Sequence, residues 1–309
     1  MILAIVGATG TGKSELALDV AVMLAASGKP AEIVNADASQ LYRGMDIGTA
    51  KVSKNERRGI PHHLFDVLEV TTDASVASYQ KEARQAITEI TTRGAIPILV
   101  GGSGLYVWSV LYDFDFPGND PEVRNRLESR LAGEGSHLLA AELKAKDPEA
   151  YAAIDPRNGR RLVRALEVIE ITGKPFGAGL GAENRPWRPV TLVGLQVQRD
   201  ELIKRLDERA ANMFANGLVD EVRDLIPLGI EKGVTASRAI GYAQALEVIK
   251  GTKTVTDAIS ETALLTRKLA RRQVGWFGRN QNINWFDAPA NPAEVVELFL
   301  NAQNETPET

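Results

Sequence analysis

The sequence predicts an α/β protein in which a parallel sheet is flanked by helices and interrupted by a mainly helical insertion. Three observations support this fold class. Short apolar runs alternate with helical patterns at the start of the chain. From residue 113 to about residue 176 the pattern is helical without apolar strands, and a strand pattern returns at 191–197. Such alternation is typical of parallel sheets whose strands are joined through helices.

Each predicted element has its own local signal. Short apolar runs predict four strands, of which the third is the weakest: 2–6, 32–36, 63–67 and 96–100. Helical periodicity covers 14–27 and 75–94, and Gly28 and Gly94 end these two patterns. Glycine commonly follows the last turn of a helix, so both ends are well marked.

A change of pattern near residue 113 divides the chain. The Gly- and Pro-rich segment 177–190 predicts a linker that returns from the insertion to the core. We therefore expect one domain formed by 1–112 and 190–309, with a helical domain inserted at 113–189. A length of 309 residues fits two domains.

Composition excludes several classes of protein. The chain has no cysteine, which excludes disulfides, thiolate zinc sites and cysteine nucleophiles. No apolar run approaches the ~20 residues that span a bilayer. The start of the chain lacks the pattern of a signal peptide, and we expect a cytoplasmic monomer. The formal net charge of −4 does not by itself indicate a nucleic-acid binder.

A glycine-rich loop lies between the first predicted strand and helix. Its sequence, GATGTGKS, matches G-x-x-x-x-G-K-[ST], which surrounds phosphate oxygens with backbone amides at a helix N-terminus. Lys13 adds a positive charge and Ser14 can bind Mg²⁺. The motif predicts a P-loop NTPase-like core that holds a di- or triphosphate. The loop residues are Gly7, Ala8, Thr9, Gly10, Thr11, Gly12, Lys13 and Ser14.

A second acid that would position Mg²⁺ for phosphoryl transfer is missing from the expected place. The strand predicted at 96–100 leads into GGSGLY, which contains no carboxylate. Kinases and GTPases of this class usually carry one. The sequence therefore favours a diphosphate that is held and then leaves.

Asp37 directly follows the strand predicted at 32–36. Ligands of open α/β sheets bind at the carboxyl ends of strands. Asp37 can therefore face the phosphate loop as a base, or it can simply cap a turn.

Two clusters of arginine and lysine occur despite the negative net charge. Residues 262–286 contain no acid, and Arg267, Lys268, Arg271 and Arg272 are spaced as on one helical face, followed by Trp276 and Phe277. A basic face beside aromatic rings suits a nucleic acid with unstacked bases. The other interpretation is a solvated helix whose aromatic residues pack in the core, and we place Trp276 in the core.

The second basic cluster is RNGRRLVR at 157–164. Its arginines also share one helical face. They can contact phosphates of a nucleic acid, or they can dock the insertion against the acidic core.

Eight motifs in this order resemble a known family. They are GATGTGKS, DASQLYRGMDIGTAK, GIPHHLFDV, LVGGSGLY, RRLVRALEVIEITGKP, R-x-x-x-M…GL-x-x-EV from Arg209 to Val222, AIGYAQ and TRKLARRQVGWF. Together they cover about residues 1 to 290 and resemble the bacterial tRNA dimethylallyltransferases, also called tRNA isopentenyltransferases.

The resemblance implies transfer of a dimethylallyl group from dimethylallyl diphosphate to N6 of an adenosine beside the anticodon, at tRNA position thirty-seven. It implies that Asp37 is the general base, that Arg209 neutralises the departing diphosphate, and that Ser103 contacts the target nucleotide. The phosphate loop would hold the diphosphate with Mg²⁺.

The resemblance also implies the residues that bind the anticodon stem-loop of tRNA. They are Asp37, Ala38, Ser39, Gln40, Ser103, Arg124, Arg160, Arg161, Arg164, Arg238, Gly241, Tyr242, Arg271, Arg272, Gln273 and Trp276. The chain departs from the family in having DASQ where DSMQ is commoner, and Ser103 where threonine is frequent. The zinc finger of eukaryotic relatives is absent.

Three other functions share parts of this pattern. An adenylate isopentenyltransferase has the phosphate loop and the aspartate, although it needs neither the insertion nor the basic C-terminal region. A P-loop kinase for small molecules is disfavoured by the missing acid. A non-catalytic, nucleotide-gated RNA-binding protein would use the loop and the basic faces without forming a covalent product.

Overall fold

A computed structural model describes residues 1–114, 116–177 and 186–305. The chain forms two compact units, which we call the core unit (Met1–Leu111 with Trp187–Thr309) and the helical unit (Tyr112–Pro186). Residues 178–185 of the expected linker lie outside the described residues. Among the described helices, none is both long and apolar enough to cross a membrane.

The core unit contains one six-stranded sheet, and its strands pair in parallel. The strand order is β3-β2-β4-β1-β5-β6, which confirms the predicted α/β class. The strands are β1 (Ile2–Gly7), β2 (Ala31–Asn35), β3 (His62–His63), β4 (Ile96–Gly101), β5 (Val190–Gln196) and β6 (Asn284–Asp287).

Twelve α-helices lie within the described residues, together with short 3₁₀ helices at Ala38–Leu41, Ile230–Lys232 and Ala236–Arg238. The α-helices are α1 (Lys13–Ala26), α2 (Val76–Thr92), α3 (Gly104–Leu111), α4 (Pro121–Glu134), α5 (Ser136–Lys146), α6 (Pro148–Ala153), α7 (Gly159–Thr172), α8 (Arg199–Ala215), α9 (Leu218–Leu225), α10 (Tyr242–Ile249), α11 (Val255–Phe277) and α12 (Pro292–Glu305).

The central strands are buried on both faces, which is why they are continuous apolar runs in the sequence. The predicted strand at 63–67 is wrong beyond its first residue. Leu64 and Asp66 have φ of 62° and 58°, a left-handed conformation that cannot continue a strand. Strand β6 was not predicted, because its residues lie at the sheet edge and are mostly exposed.

Two hydrophobic clusters of the core unit hold its helices, one against the sheet and one beyond the sheet edge. On one face, Leu16 and Leu24 of α1 and Phe299 of α12 pack with Leu3 and Ile5. A separate cluster joins the segment after β2 to α8, α9 and α10. Its buried members include Tyr42, Met45, Met213, Leu218, Val222 and Tyr242. This second cluster matters for the site because it fixes chain segments that lie beyond the sheet edge.

The parallel arrangement brings several loops to one edge. The carboxyl ends of β1, β2 and β4 lead into the phosphate loop, Asp37 and Ser103 respectively. Parallel strands end at the same side of a sheet, so residues far apart in sequence meet there.

The helical unit has its own core and an ion-pair cluster. Helices α4 to α7 enclose a cluster that includes Leu127, Leu139 and Leu162. The Glu167 side chain is fully buried and forms ion pairs with Arg124 at 2.5 Å and Arg164 at 2.8 Å. Burial opposes ionisation of Glu167, but hydrogen bonds from both arginines outweigh it and lower the pKa.

We expect Glu167→Gln to lower the local free energy of unfolding of the helical unit by about 2 kcal/mol at pH 7, because charge-assisted hydrogen bonds are lost. Hydrogen exchange of peptides from α4 and α7 measures this. The difference should shrink below about pH 4, since a carboxylate with a lowered pKa stabilises only while ionised.

The matched control is Glu170→Gln, which removes the ion pair of Glu170 with Arg126, both partly exposed. Exposed pairs contribute little, so a change within about 0.5 kcal/mol is expected. Equal exchange in the two variants would show that the buried cluster is not stabilising.

Candidate active site

The phosphate loop is formed by the turn between β1 and α1. Gly7 has a φ of 141°, and a Cβ there would lie 2.5 Å from the carbonyl oxygen of Leu195, so only glycine fits. Within the loop, Lys13 Nζ donates to the carbonyl of Ala8 at 2.6 Å, and Thr11 Oγ1 donates to the same carbonyl at 2.9 Å. The loop thus curls around the start of α1, where the helix dipole favours an anion.

Two cations face this loop without a carboxylate partner. Lys13 is 9% exposed, and burial lowers its pKa to about 8, with the charge of Asp37 opposing the shift and that of Arg209 adding to it. Burial also lowers the pKa of Arg209, and Asp37 again opposes it. Neither cation forms an ion pair with any residue that the structure describes. Burying unpaired charge is costly, so the site is suited to an anionic ligand.

Arg209 comes from α8 and is only partly satisfied by the protein. Its Nη1 donates to Thr9 Oγ1 at 3.0 Å, and Nη2 lies 3.5 Å from the carbonyl of Thr49. Its Nε is buried with no hydrogen-bond partner among the described residues. The guanidinium therefore keeps donor capacity for a ligand.

Asp37 caps the turn after β2 and also lines both cavities, while its role as a base stays a prediction. Its Oδ1 accepts from the amide of Ser39 at 3.0 Å and from Ser39 Oγ at 2.6 Å. Asn35 fixes its backbone by accepting the Asp37 amide at 2.9 Å and donating to the Asp37 carbonyl at 3.1 Å. Within the described part of the chain Oδ2 accepts no hydrogen bond, so it is available to a substrate.

Two cavities of about 340 and 350 Å³ adjoin at Asp37. The phosphate loop lines the first cavity. Ser103, Arg272 and Trp276 line the second, together with apolar side chains of α8 and α11. Five residues line both: Thr9, Asp37, Thr49, Gly102 and Arg209.

Trp276 is 39% exposed and lines the second cavity, so its placement in the core is wrong. Its ring is packed against Gly104, where a Cβ would lie 2.3 Å from the indole. The neighbouring Phe277 is the core aromatic residue and contacts Trp108 edge to face at 5.6 Å. Adjacent residues of a helix point about 100° apart, which is why Phe277 can be buried while Trp276 faces the cavity.

Of the other residues expected to bind tRNA, Tyr242 and Gln273 are buried, whereas Arg238 is exposed. Tyr242 is fully buried, and its hydroxyl donates to Glu221 Oε1 at 2.5 Å. Gln273 is 8% exposed and bonds the protein itself. Arg238 is exposed beside Gly241 in the segment that precedes α10.

Glu221 is a site-shaping residue that sequence reasoning missed. Its carboxylate accepts the amides of Asp46, Ile47 and Gly48 at 3.2, 2.7 and 3.4 Å. This holds the segment carrying Thr49 against both cavities. The GL-x-x-EV motif contains Glu221, but nothing local in the sequence indicates its partner.

The basic faces divide into paired and free cations. Arg267 forms an ion pair with Asp207 at 2.5 Å, whereas Arg271 and Arg272 are exposed with no ion pair among the described residues. In the helical unit, Arg160 and Arg161 are likewise exposed and free within the described ranges. Arg124 and Arg164 are held by Glu167.

The family of the chain follows from comparison with known proteins. Residues 40–281 match the protein family described as IPP transferase. The chain belongs to the IPP transferase family. This confirms the resemblance carried by the sequence motifs, and IPP transferase membership makes the chain a transferase enzyme.

Relatives support this IPP transferase assignment over nearly the whole chain. The chain is 58% identical over 287 residues to the tRNA dimethylallyltransferase of Clavibacter sepedonicus, covering 93% of each. A solved full-length tRNA isopentenylpyrophosphate transferase from Bacillus halodurans is 36% identical, with a TM-score of 0.71 and coverage of 98% and 97%. A solved eukaryotic dimethylallyltransferase acting on tRNA is 25% identical, with a TM-score of 0.75 over 93% of this chain and 73% of that one.

The donor set of this IPP transferase fits a Mg²⁺ ion that arrives with phosphate. Ser14 is exposed at the start of α1, lines the first cavity and makes no side-chain hydrogen bond within the described residues. Those residues contain no group of three His, Cys, Asp or Glu that would hold a metal alone. Mg²⁺ commonly keeps water and phosphate oxygens beside one or two protein ligands.

We expect the affinity for inorganic diphosphate with Mg²⁺ to fall by up to about tenfold between about pH 7 and pH 9. Lys13, with a pKa of about 8, loses its positive charge in this range. Calorimetric titration at several pH values measures it.

Lys13→Met should remove this pH dependence apart from that of the ligand. Lys29→Met, which changes an exposed lysine, should keep it. Equal pH dependence in the two variants would exclude Lys13 as the titrating group.

Proposed function

We propose that the chain transfers the dimethylallyl group of dimethylallyl diphosphate to N6 of the adenosine on the 3′ side of a tRNA anticodon. One observation carries the proposal: Asp37 stands where a cavity lined by the buried Lys13 and the partly buried Arg209 adjoins a cavity lined by a base-sized aromatic ring and an exposed arginine. The names of the relatives, which act on tRNA, support the choice of acceptor.

The diphosphate lies in the first cavity. Amides of the phosphate loop, Lys13 and Arg209 surround it, with the guanidinium of Arg209 donating to the oxygens that become the leaving group. Negative charge grows on these oxygens as the C–O bond breaks. Preorganised donors at such a position lower the barrier because they need little reorganisation. Mg²⁺ held by Ser14 would add electrostatic neutralisation of the diphosphate.

The acceptor amine lies between the cavities. N6 attacks C1 of the dimethylallyl group, a C–N bond forms, and the C–O bond breaks with its electron pair leaving on diphosphate. The Oδ2 atom of Asp37 takes the proton from N6, while Oδ1 stays bonded to Ser39. An exocyclic amine is a weak nucleophile, and a positioned base contributes about 10²–10⁴-fold.

The second cavity receives the flipped adenine. Trp276 offers a ring face, Ser103 offers a hydroxyl and Arg272 offers a cation on its wall. Extruding a loop base costs a few kcal/mol, which phosphate contacts elsewhere can offset. We propose that Arg160 and Arg161, free in the helical unit, supply such contacts, and that this unit is the tRNA-binding domain.

The central test is prenylation of an unmodified anticodon stem-loop carrying A-A-A at the target site, followed by mass spectrometry. The mixture contains Mg²⁺ and dimethylallyl diphosphate, with AMP and ADP in parallel reactions. A prenyl adduct on the stem-loop adenine is expected. An adduct on free nucleotides alone would instead identify an adenylate isopentenyltransferase.

In this assay, Asp37→Asn should lower kcat by about 10²–10⁴-fold, because the base is lost while the shape is kept. Stem-loop affinity should change by less than about threefold, since the side chain does not contact phosphates. Asp46→Asn is the control: this carboxylate is exposed, lines neither cavity and bonds Lys51. Turnover of Asp37→Asn near the wild-type rate would remove Asp37 as the base.

The salt dependence of stem-loop binding tests whether Arg272, on the wall of the second cavity, contacts an RNA phosphate. Arg272→Gln should weaken stem-loop binding and reduce the slope of log K against log salt by about 0.7–0.9, the value for one phosphate contact. Arg267→Gln on the same helix should leave the slope nearly unchanged, since Arg267 is neutralised by Asp207. Equal slopes for Arg272→Gln and the wild type would exclude a phosphate contact there.

A further inference from the structure

Gln273 connects the two cavities through its side chain. It lies on α11, between Arg272 and Trp276, which both line the second cavity. Its Oε1 accepts the backbone amide of Thr9 in the phosphate loop at 2.8 Å. Its Nε2 donates to the carbonyl of Gly102 at 2.9 Å, directly after β4. The side-chain amide of Gln273 therefore joins α11 to the phosphate loop and to the loop after β4.

This connection has little room to adjust. Gln273 is 8% exposed, so water does not readily replace its partners. A Cβ on Gly102 would lie 2.5 Å from Gln273 Nε2 and 3.1 Å from the carbonyl oxygen of Gly7, which shows how closely the three segments pack. A buried amide left without hydrogen-bond partners is destabilising, so the side chain is held in this position.

Thr9 is held from two sides. Gln273 fixes its amide, and Arg209 Nη1 donates to its hydroxyl at 3.0 Å. Any displacement of α11 therefore moves or releases the same loop residue that Arg209 contacts. Conversely, a ligand that draws Arg209 and the loop together acts on the partner of Gln273.

We propose that Gln273 is a positioning residue that couples RNA binding on α11 to diphosphate binding in the phosphate loop. The proposal rests on the proposed function. The stem-loop binds on the α11 side of the hydrogen-bonded unit of Thr9, Gly102 and Gln273, and the diphosphate binds on its loop side, so both ligands favour the same arrangement of the unit. Two ligands that favour one arrangement bind with positive cooperativity, and thermodynamic linkage makes it reciprocal.

The experiment measures a coupling factor, which is the ratio of the Kd of dimethylallyl diphosphate without the stem-loop to its Kd with the stem-loop bound. The stem-loop carries purine riboside at the target position, which lacks the exocyclic amine and cannot be prenylated. Calorimetry gives the Kd of dimethylallyl diphosphate with Mg²⁺, in the absence of the stem-loop and at saturation with it. For the wild type we expect the stem-loop to lower this Kd by about fivefold or more, the lower end of typical couplings.

Gln273→Met keeps the length of the side chain and removes both hydrogen bonds. We expect its coupling factor to lie within about twofold of one, while each ligand alone still binds. Val274→Ala is the matched control, because this neighbour on α11 is 54% exposed and lines neither cavity of the site. It should keep the wild-type coupling.

A second variant keeps the test decisive if Gln273→Met does not fold. Gln273→Glu still accepts the amide of Thr9 but cannot donate to Gly102, so it should also lose coupling. Full coupling in the folded variant, or none in the wild type, overturns the proposal. If the wild type prenylates a reactive stem-loop but shows no coupling, the inference alone fails; if it prenylates none, the proposed function fails.

Discussion

The site depends on one electrostatic constraint: the buried Lys13 and the partly buried Arg209 lie close together, and neither forms an ion pair with a carboxylate of the described residues. Burial lowers the pKa of both groups, and the charge of Asp37 only partly opposes this. A protein retains such an arrangement at a cost in stability, and a dianionic or trianionic ligand relieves it. The open donor capacity of Arg209 and the free hydroxyl of Ser14 belong to the same arrangement.

Around these cations, the fold brings together side chains that are far apart in the sequence. The parallel sheet carries the phosphate loop, Asp37 and Ser103 to one edge, but the edge alone leaves the cavities without walls. Helices α8 and α11 close them, and the carboxylate of Glu221 holds the segment that contains Thr49 against both. The candidate site thus forms where the sheet edge meets side chains supplied from the second half of the chain.

Local signals in the sequence were sufficient for strands β1, β2, β4 and β5, the main helices and the phosphate loop, because each is defined by neighbours in sequence. Asp37 could be placed at the sheet edge for the same reason. The roles of Glu221 and Gln273 could not, since their hydrogen bonds reach across about 170 to 260 residues. Strand β6 was missed because an exposed edge strand has no apolar run. Trp276 was misplaced because an aromatic side chain suits a core and a cavity wall equally well, and residue type alone does not distinguish them.

Ion pairs decide which arginines of a basic face remain available to a ligand. Arg267 and Arg272 belong to the same basic run, yet Asp207 neutralises one and leaves the other exposed. Arg124 and Arg164 are similarly occupied by Glu167, whereas Arg160 is not. A helical face rich in arginine therefore overstates the cations available to a polyanion.

The connection of Thr9 to Gln273 also bears on how the protein is made. During synthesis, the complete GATGTGKS motif leaves the ribosome long before Arg209, and Arg209 before Gln273. A nascent chain thus exposes a glycine-rich loop whose orienting partners do not yet exist. The hydrogen bond from the Thr9 amide to Gln273 can form only after α11 has been translated, so the first motif in the chain gains one of its contacts near the end of synthesis.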